Sequence, residues 1–341
     1  MQMTYTRKRI NNKNNPLAVA KLTSLAFSLA ALALLALAAA SASAQVTFEP
    51  PTEFTGAGYA ARVAADGQNV VEVYQLDSGL SPLKYRTGKV TTGGTVTWNP
   101  VHTYDTGLAP TVALSGANVI EMHEGGGGDL WYHTGKLQAS GVITWAPAIF
   151  FSNGYAPSVA ASGIEIIDVH QATESNPTGL WFDLAEFNSD GTIAFVHTAQ
   201  YDNGFAPSVA LGGATLVEVH QGISPDLWYR DGTIQAGGSS IVFSNAVHFD
   251  NGWAPTIAIA GPTIMEAHQG AAGTSPVALW YGTGLLQNSP AGVGVAGGAI
   301  KWGNDGHYQT GNLPSIAIAG PVVVEVHEGN TGTIWNTPGQ F

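Results

Sequence analysis

The stretch Tyr201-Asp202-Asn203-Gly204-Phe205-Ala206-Pro207-Ser208-Val209-Ala210-Leu211, followed after a short turn by Thr215-Leu216-Val217-Glu218-Val219-His220-Gln221, is one copy of a pattern that the chain writes six times. Its heart is Gly-Xxx-Ala-Pro, with the glycine at Gly107, Gly154, Gly204 and Gly252. The same position is Gly58 in a degenerate first copy and Gly311 in the last. The intervals are 49, 47, 50, 48 and 59 residues, and Gly-rich sequence at 288–298 accounts for the long one. Sixteen residues after each glycine stands Tyr74, His123, His170, His220, His268 or His327. Two residues before that site lies a carboxylate in every copy: Glu72, Glu121, Asp168, Glu218, Glu266 and Glu325. One residue after it lies Gln75, Glu124, Gln171, Gln221, Gln269 or Glu328. An offset held through six copies marks true internal repeats.

Each copy holds four pieces of strand character. In the copy around Gly204 they are residues 207–211, 215–221, 227–230 and 241–249, β-branched or aromatic in content and bounded by Gly, Asn, Asp or Ser. None has helical periodicity. Four antiparallel strands recurring every ~40–50 residues predict an all-β fold, a six-bladed β-propeller of four-stranded antiparallel blades. The fourth piece carries two aromatics six residues apart: Trp98/Tyr104, Trp145/Phe151, Phe195/Tyr201, Phe243/Phe249 and Trp302/Tyr308. Even spacing places both rings on one face. Pro100 and Pro147 fall between such rings, which suits an outermost strand. Residues 46–54 have the same form, with Phe48 and Phe54 flanking Pro50 and Pro51, yet they precede the first copy, whereas the last copy stops at Phe341 without a fourth strand. The amino-terminal strand is therefore expected to complete the last blade and close the ring, leaving no open edge.

Residues 1–44 read as a secretory signal peptide: Arg7, Lys8, Arg9, Lys13 and Lys21 precede an apolar run at 22–40, and Ala42-Ser43-Ala44 forms a small-residue cleavage site. The domains are then a leader at 1–44 and a six-repeat unit at 45–341, secreted or periplasmic, with no membrane span after cleavage. The chain has 12 basic and 24 acidic residues; the leader takes five basic and no acidic ones, leaving 7 against 24, a net charge of −17. Such a surface repels nucleic acid. There is no cysteine, so the fold is held by its core and not by disulfides.

The recurring polar and aromatic residues gather on one rim. The second strand ends there with its Glu-Xxx-His-Gln, and the third begins there with Trp131, Trp181, Trp228, Trp280 and Trp335. Residues two apart on a strand share a face, so each carboxylate and imidazole can form a hydrogen-bonded network locking one blade to the next, or can line a pocket between blades. The Gln/Glu beside them and the Trp across the turn suit ligand contact, with plain packing of the indoles as the other reading. In the second to sixth copies these four positions form the candidate ligand-binding set. No cofactor is expected, and no metal, since Glu-Xxx-His offers two ligands per copy where zinc takes three or four.

On repeat length, blade count, strand-swapped closure and Trp-rich polar pockets, residues 46–341 resemble the exported β-propeller lectins of bacteria and fungi, the Aleuria and tachylectin types among them. The resemblance is one of architecture. Its fucose-binding members build the pocket on an arginine, whereas Arg62, Arg86 and Arg230 do not recur here. It implies a multivalent carbohydrate-binding protein whose partners are glycans or glycoconjugates. The alternatives are a glycoside hydrolase or lyase on the same scaffold, for which the first copy breaks symmetry with Tyr74, Lys84 and Arg62, and a protein-interaction scaffold. The leader is tested directly. Intact mass of exported protein is expected to match a chain beginning at Gln45, 297 residues from 341 less 44, and a full-length membrane-bound product would contradict it.

Overall fold

A computed structural model describes residues 45–173, 178–235, 238–271, 277–287 and 300–341. The expected leader and the Gly-rich insertion lie outside them. The described residues form strands and turns, with no helix among them. In the copy that opens at Gly204 the strands are Phe205–Gly212, Thr215–Gln221 and Asp226–Ile234, then Ile241–Phe243 followed by Val247–Ala260. Each pairs antiparallel with the one before it, so that Val209 faces Glu218, Glu218 faces Arg230 and Trp228 faces His248.

Two features depart from the reading of the sequence. In four repeats the fourth strand is broken into two pieces, Val96–Trp98 before His102–Ser115, Ile143–Trp145 before Ile149–Asn153, Ile241–Phe243 before Val247–Ala260 and, for the last repeat, Thr47–Phe48 before Thr52–Thr55. Pro100 and Pro147 sit in the first two gaps, where a residue with no N–H cannot extend the ladder. In the third gap Ser244 turns back on the neighbouring strand, its N–H donating to the Asp231 carbonyl and its hydroxyl to Asp231 Oδ1, each at 2.8 Å. Second, His102–Ser115 and Val247–Ala260 run unbroken from the outer strand of one repeat into the inner strand of the next. The hydrogen-bonded sheets therefore number four, with five, nine, four and eight strands, in place of six separate four-stranded ones.

The inner strands stand side by side in order. Tyr59–Asp66 lies beside the inner half of His102–Ser115, and so on through Tyr155–Ser162, Phe205–Gly212, Val247–Ala260 and Asn312–Ala319, which lies beside Tyr59–Asp66 again. Thr47–Phe48 and Thr52–Thr55 pair with Ile334–Gln340, Thr47 opposite Gln340 and Thr52 opposite Asn336. The last repeat thus takes its outer strand from the start of the chain.

The core lies between repeats. Each buried apolar cluster joins two neighbours: Ile120, Met122 and Tyr132 meet Val159, Ile166 and Phe187, and Val63, Val70 and Tyr74 of the first repeat meet Val322, Val324, Val326 and Ile334 of the last. The aromatic pairs of the outer strands complete these seams by stacking on the next repeat and not on each other. Tyr104 stacks on Trp145 at 5.2 Å, Phe151 on Phe195 at 5.3 Å, Tyr201 on Phe243 at 5.1 Å and Phe249 on Trp302 at 4.9 Å. Tyr308 stacks on Phe48 of the amino-terminal strand at 4.6 Å. Phe54 and Trp98 hold the Arg86 guanidinium between them, at 3.2 and 3.9 Å from the ring centroids. A stacked aromatic pair adds about 0.5–1.5 kcal/mol beyond its buried area, and a desolvated cation–π contact up to about 2 kcal/mol.

In the five repeats with a histidine, that histidine dictates the glycine. A Cβ on Gly204 would stand 2.6 Å from His220 Cδ2 and 2.6 Å from the Gln221 carbonyl, and Gly107, Gly154, Gly252 and Gly311 meet their own histidines the same way. This contact ties together two residues that the sequence keeps sixteen apart. Removing residues 46–54 takes Phe48, Phe54 and the paired edge of Ile334–Gln340 away together. The truncated chain is expected to lose its cooperative thermal transition and to aggregate through the exposed edge; a melting temperature equal to that of the parent would rule out this role for the strand.

Candidate functional site

The six carboxylates of the second strands are 0–1% exposed, and the five histidines two residues on are 2–3% exposed. Within each strand the pair is hydrogen-bonded through Nδ1: His123 to Glu121 at 3.1 Å, His170 to Asp168 at 2.7 Å, His220 to Glu218 at 3.1 Å, His268 to Glu266 at 2.9 Å and His327 to Glu325 at 3.0 Å. The carboxylate also accepts from a tyrosine hydroxyl of the preceding repeat, Tyr104 to Glu121 at 2.8 Å, Tyr201 to Glu218 at 2.9 Å and Tyr308 to Glu325 at 3.0 Å. Burial and the adjoining carboxylate push these three phenols well above their usual pKa. Burial works against the charged imidazole, yet His123, His170, His220 and His268 titrate above the ordinary value because the carboxylate two residues back outweighs it.

The neighbouring Gln/Glu acts across the seam. Gln75 Oε1 accepts from the Ala109 N–H at 2.7 Å, Glu124 from Ala156 at 2.6 Å, Gln171 from Ala206 at 2.8 Å and Gln269 from Leu313 at 3.2 Å. Glu328 of the last repeat bonds the Ala60 N–H of the first. Each acceptor holds a residue with positive φ; Ala60, Ala109, Ala156, Ala206, Ala254 and Leu313 have φ of 44–50°. A left-handed residue with a Cβ costs about 1–3 kcal/mol, which the bond from the preceding repeat offsets in part. Burial raises the Glu124 and Glu328 carboxyls, and the backbone N–H lowers them.

The tryptophans differ in being partly open. Trp131, Trp181, Trp228 and Trp335 are half-buried, and Trp280 is 37% exposed. Trp131 meets Phe150, Trp228 meets His248 and Trp280 meets His307 edge-on at 5.4–5.8 Å. The indole N–H side lies over the glycine after the Gln/Glu: a Cβ on Gly222 would meet Trp228 Nε1 at 3.0 Å.

One position escaped the sequence reading. On the third strand, the residue opposite each buried carboxylate is Arg86, His133, Asp183, Arg230, Gly282 and Thr337 in turn. It sets the chemistry of each seam. Arg86 binds Glu72 through Nε at 2.8 Å and Nη2 at 2.5 Å. Arg230 Nε binds Asp202 Oδ2 of the preceding repeat at 2.5 Å. Asp183 instead brings a second carboxylate beside Asp168, its Oδ2 at 3.7 Å from His170 Nδ1, and Phe151 supplies no hydroxyl there. Asp168 Oδ1 and Asp183 Oδ2 are buried without a hydrogen-bond partner. Burial and the charge of Asp168 push the Asp183 carboxyl up to about 6.

The six inner strands also line one cavity of about 230 Å³, ringed by Thr111, Ser158, Ser208, Thr256 and Ser315 with Arg62 in the sixth place. Hydroxyls of this ring accept from the next inner strand, Ser315 from Val63 N–H at 3.1 Å and Ser158 from Val209 N–H at 3.2 Å. A second hollow of about 490 Å³ lies against residues 87–89 and 137–141 and is lined by no carboxylate or imidazole.

No family model matches the chain, and no curated protein does so. Solved structures do. Trypanosoma rangeli sialidase in complex with the inhibitor DANA aligns with a TM-score of 0.56 at 10% identity, covering 87% of this chain and 60% of that one. The same sialidase in complex with sialic acid gives 0.52 at 10% identity, over 88% and 59%. The subtype N11 neuraminidase-like protein of A/flat-faced bat/Peru/033/2010 (H18N11) gives 0.53 at 9% identity, over 88% and 94%. The chain thus spans about 60% of the sialidase's length. At this identity the likeness is one of fold: the chain is an all-β protein of the β-propeller type. These neighbours carry the propeller and not a lectin type.

Asp183 supplies a pH signature. Its folded pKa lies above the unfolded value, so the folded chain keeps a proton that the unfolded chain releases, and stability falls as pH rises from about 4 through 6. Asp183→Asn removes that slope and can donate to Asp168. The variant is expected to be about 1–3 kcal/mol more stable than the parent at pH 7.5 and nearly equal to it at pH 4, by thermal melts across pH. A variant less stable at pH 7.5 would show that an ionised Asp183 is required.

Proposed function

We propose that the chain is an exported six-bladed β-propeller, closed by its amino-terminal strand, that recognises glycans through tryptophans repeated around one rim. The observation that carries the glycan reading is the contrast at the candidate set. Its carboxylates, imidazoles and Gln/Glu groups are engaged in holding repeats together, whereas the indoles of Trp131, Trp181, Trp228, Trp280 and Trp335 keep part of their surface open. A sugar ring stacks its C–H face on such a platform. The closure reading is supported by the contact of the sixth inner strand with the first and by the Glu328–Ala60 bond across the same seam.

A single shallow site of this kind binds at about 1 mM, near −4 kcal/mol. Several on one glycan surface gain roughly 10²–10⁴ in avidity. Repetition is then the source of useful affinity, and a surface of net charge −17 favours neutral or cationic partners over nucleic acid.

The second reading is a glycoside hydrolase. It is favoured by the propeller neighbours that are sialidases, one of them holding sialic acid, and by Arg62, the one cation among the hydroxyls of the central cavity. Against the two-carboxylate form of such an enzyme, the recurring carboxylates are buried and paired, out of reach of a substrate.

One pair of assays separates the readings. The mature protein is applied to an array of neutral and sialylated glycans and incubated with fluorogenic glycosides, sialosides included. Glycan binding without turnover, lowered in part by Trp228→Ala and abolished when all five tryptophans become alanine in a protein that still melts cooperatively, supports recognition. Turnover that is lost in Arg62→Ala supports the hydrolase, and neither binding nor turnover rejects both.

A further inference from the structure

The seam between the first and second repeats gathers three groups that no other seam among the described residues combines. Asp105 comes from the end of the first repeat's outer strand, and His123 and His133 come from the second and third strands of the next repeat. His133 Nε2 lies 2.6 Å and His123 Nε2 3.8 Å from the same oxygen, Asp105 Oδ2. The two imidazoles lie nearly parallel, 5.8 Å apart at 28°.

The far side of each ring is held by a hydrogen-bond acceptor. His133 Nδ1 lies 2.7 Å from the Ala146 carbonyl, which can only accept, so Nδ1 holds the hydrogen. His123 Nδ1 faces Glu121, whose Oε1 already accepts from Tyr104, so this nitrogen also donates. Both Nε2 atoms then face Asp105 Oδ2; at 2.6 Å His133 Nε2 hydrogen-bonds that oxygen through a proton that a bound metal ion would displace, and the three ligand atoms all lie within 4.8 Å of one another. Asp105 Oδ1 is occupied by the Thr106 N–H at 2.8 Å, which orients the carboxylate. Imidazoles whose outer N–H is held by a carboxylate and a backbone carbonyl are the usual supports of a metal-ligating histidine pair.

The chain itself places a cation at the matching point of the fourth repeat. There Arg230 stands in the place of His133, with its Nε on Asp202 Oδ2 at 2.5 Å and His220 Nε2 at 3.9 Å from the same oxygen. Where the arginine is replaced by histidine, a bound metal ion can take the place of the guanidinium beside Asp105 and His123.

We propose that Asp105, His123 and His133 form a binding site for a first-row divalent metal ion, zinc foremost, with two nitrogen ligands, one oxygen ligand and an open fourth position. Two histidines and one carboxylate are a zinc ligand set, with bonds of about 2.0–2.2 Å. The His123 and His133 side chains are 3% and 6% exposed while that of Asp105 is 31% exposed, so the ion enters past the aspartate and keeps a water or ligand oxygen on that side. The site joins two repeats, and it stands whether or not the chain binds glycans.

The test uses the mature, metal-stripped chain titrated with Zn²⁺ by calorimetry and with Co²⁺ by visible absorption. One ion per chain, micromolar or tighter, with the intense bands of four-coordinate Co²⁺, is the expected result. His133→Gln should weaken binding at least tenfold. Asp105→Asn, at a half-exposed position where folding is retained, should do the same. Asp183→Asn, in the third repeat, should leave it unchanged. No binding at millimolar metal, or binding that survives Asp105→Asn, overturns the proposal. Binding lost only in Asp183→Asn overturns it equally, by placing the ion at Asp168 and His170.

Discussion

A carboxylate with no access to water stands in the middle of every second strand, and the rest of the structure answers to it. An isolated buried charge of this kind costs several kcal/mol unless it is paired and hydrogen-bonded. In five repeats the partner comes first from the same strand, as the histidine two residues on, and in three of these a tyrosine hydroxyl on the outer strand of the preceding repeat joins it. The histidine ring then occupies the space where the inner-strand glycine would carry a side chain. Second strand, inner strand and neighbouring outer strand are thus tied by one group. Repeats that could not fold singly gain their satisfied interior only in contact with each other.

The first repeat meets the same demand by other means. Tyr74 replaces the histidine, and Arg86 reaches across from the third strand to neutralise Glu72. The guanidinium is clamped between Phe54, from the amino-terminal strand, and Trp98, so the seam at which the two ends of the chain meet has both a salt bridge and a cation–π sandwich where other seams have a direct ring stack. The departures of this repeat from the pattern, read from sequence as a drifted copy or a reactive one, fit the special work of that seam.

Much of this was legible in the residues. The sixteen-residue offset is the footprint of a contact between glycine and histidine, and the recurrent Phe48/Phe54 spacing marks the amino-terminal segment as an outer strand, which pairs with the last repeat. The aromatic pairs were legible only in part: six-residue spacing puts two rings on one face, but their stacking partners lie in the adjoining repeat, a relation that no spacing within a copy expresses. The residues opposite the carboxylates were not legible at all. Arg86, His133, Asp183, Arg230, Gly282 and Thr337 share a place in the ladder and nothing in chemistry, so a search for sameness passes over them. Strand register alone brings them together. The same blindness hid the inter-repeat task of Gln75, Glu124 and Gln171, whose partners are backbone N–H groups without a side-chain signature.

The pairing of Thr47–Phe48 with Gly339 and Gln340 has a temporal meaning as well. A ribosome delivers the chain from its amino terminus, so Thr47–Phe48 must wait until the sixth repeat has been made. Until then its Phe48 has no Tyr281 or Tyr308 to rest on. Intermediate repeats can dock on one another as they appear, but this pairing checks that the sixth repeat has been made: a chain cut before Gly339 has no ladder on which to seat Thr47–Phe48.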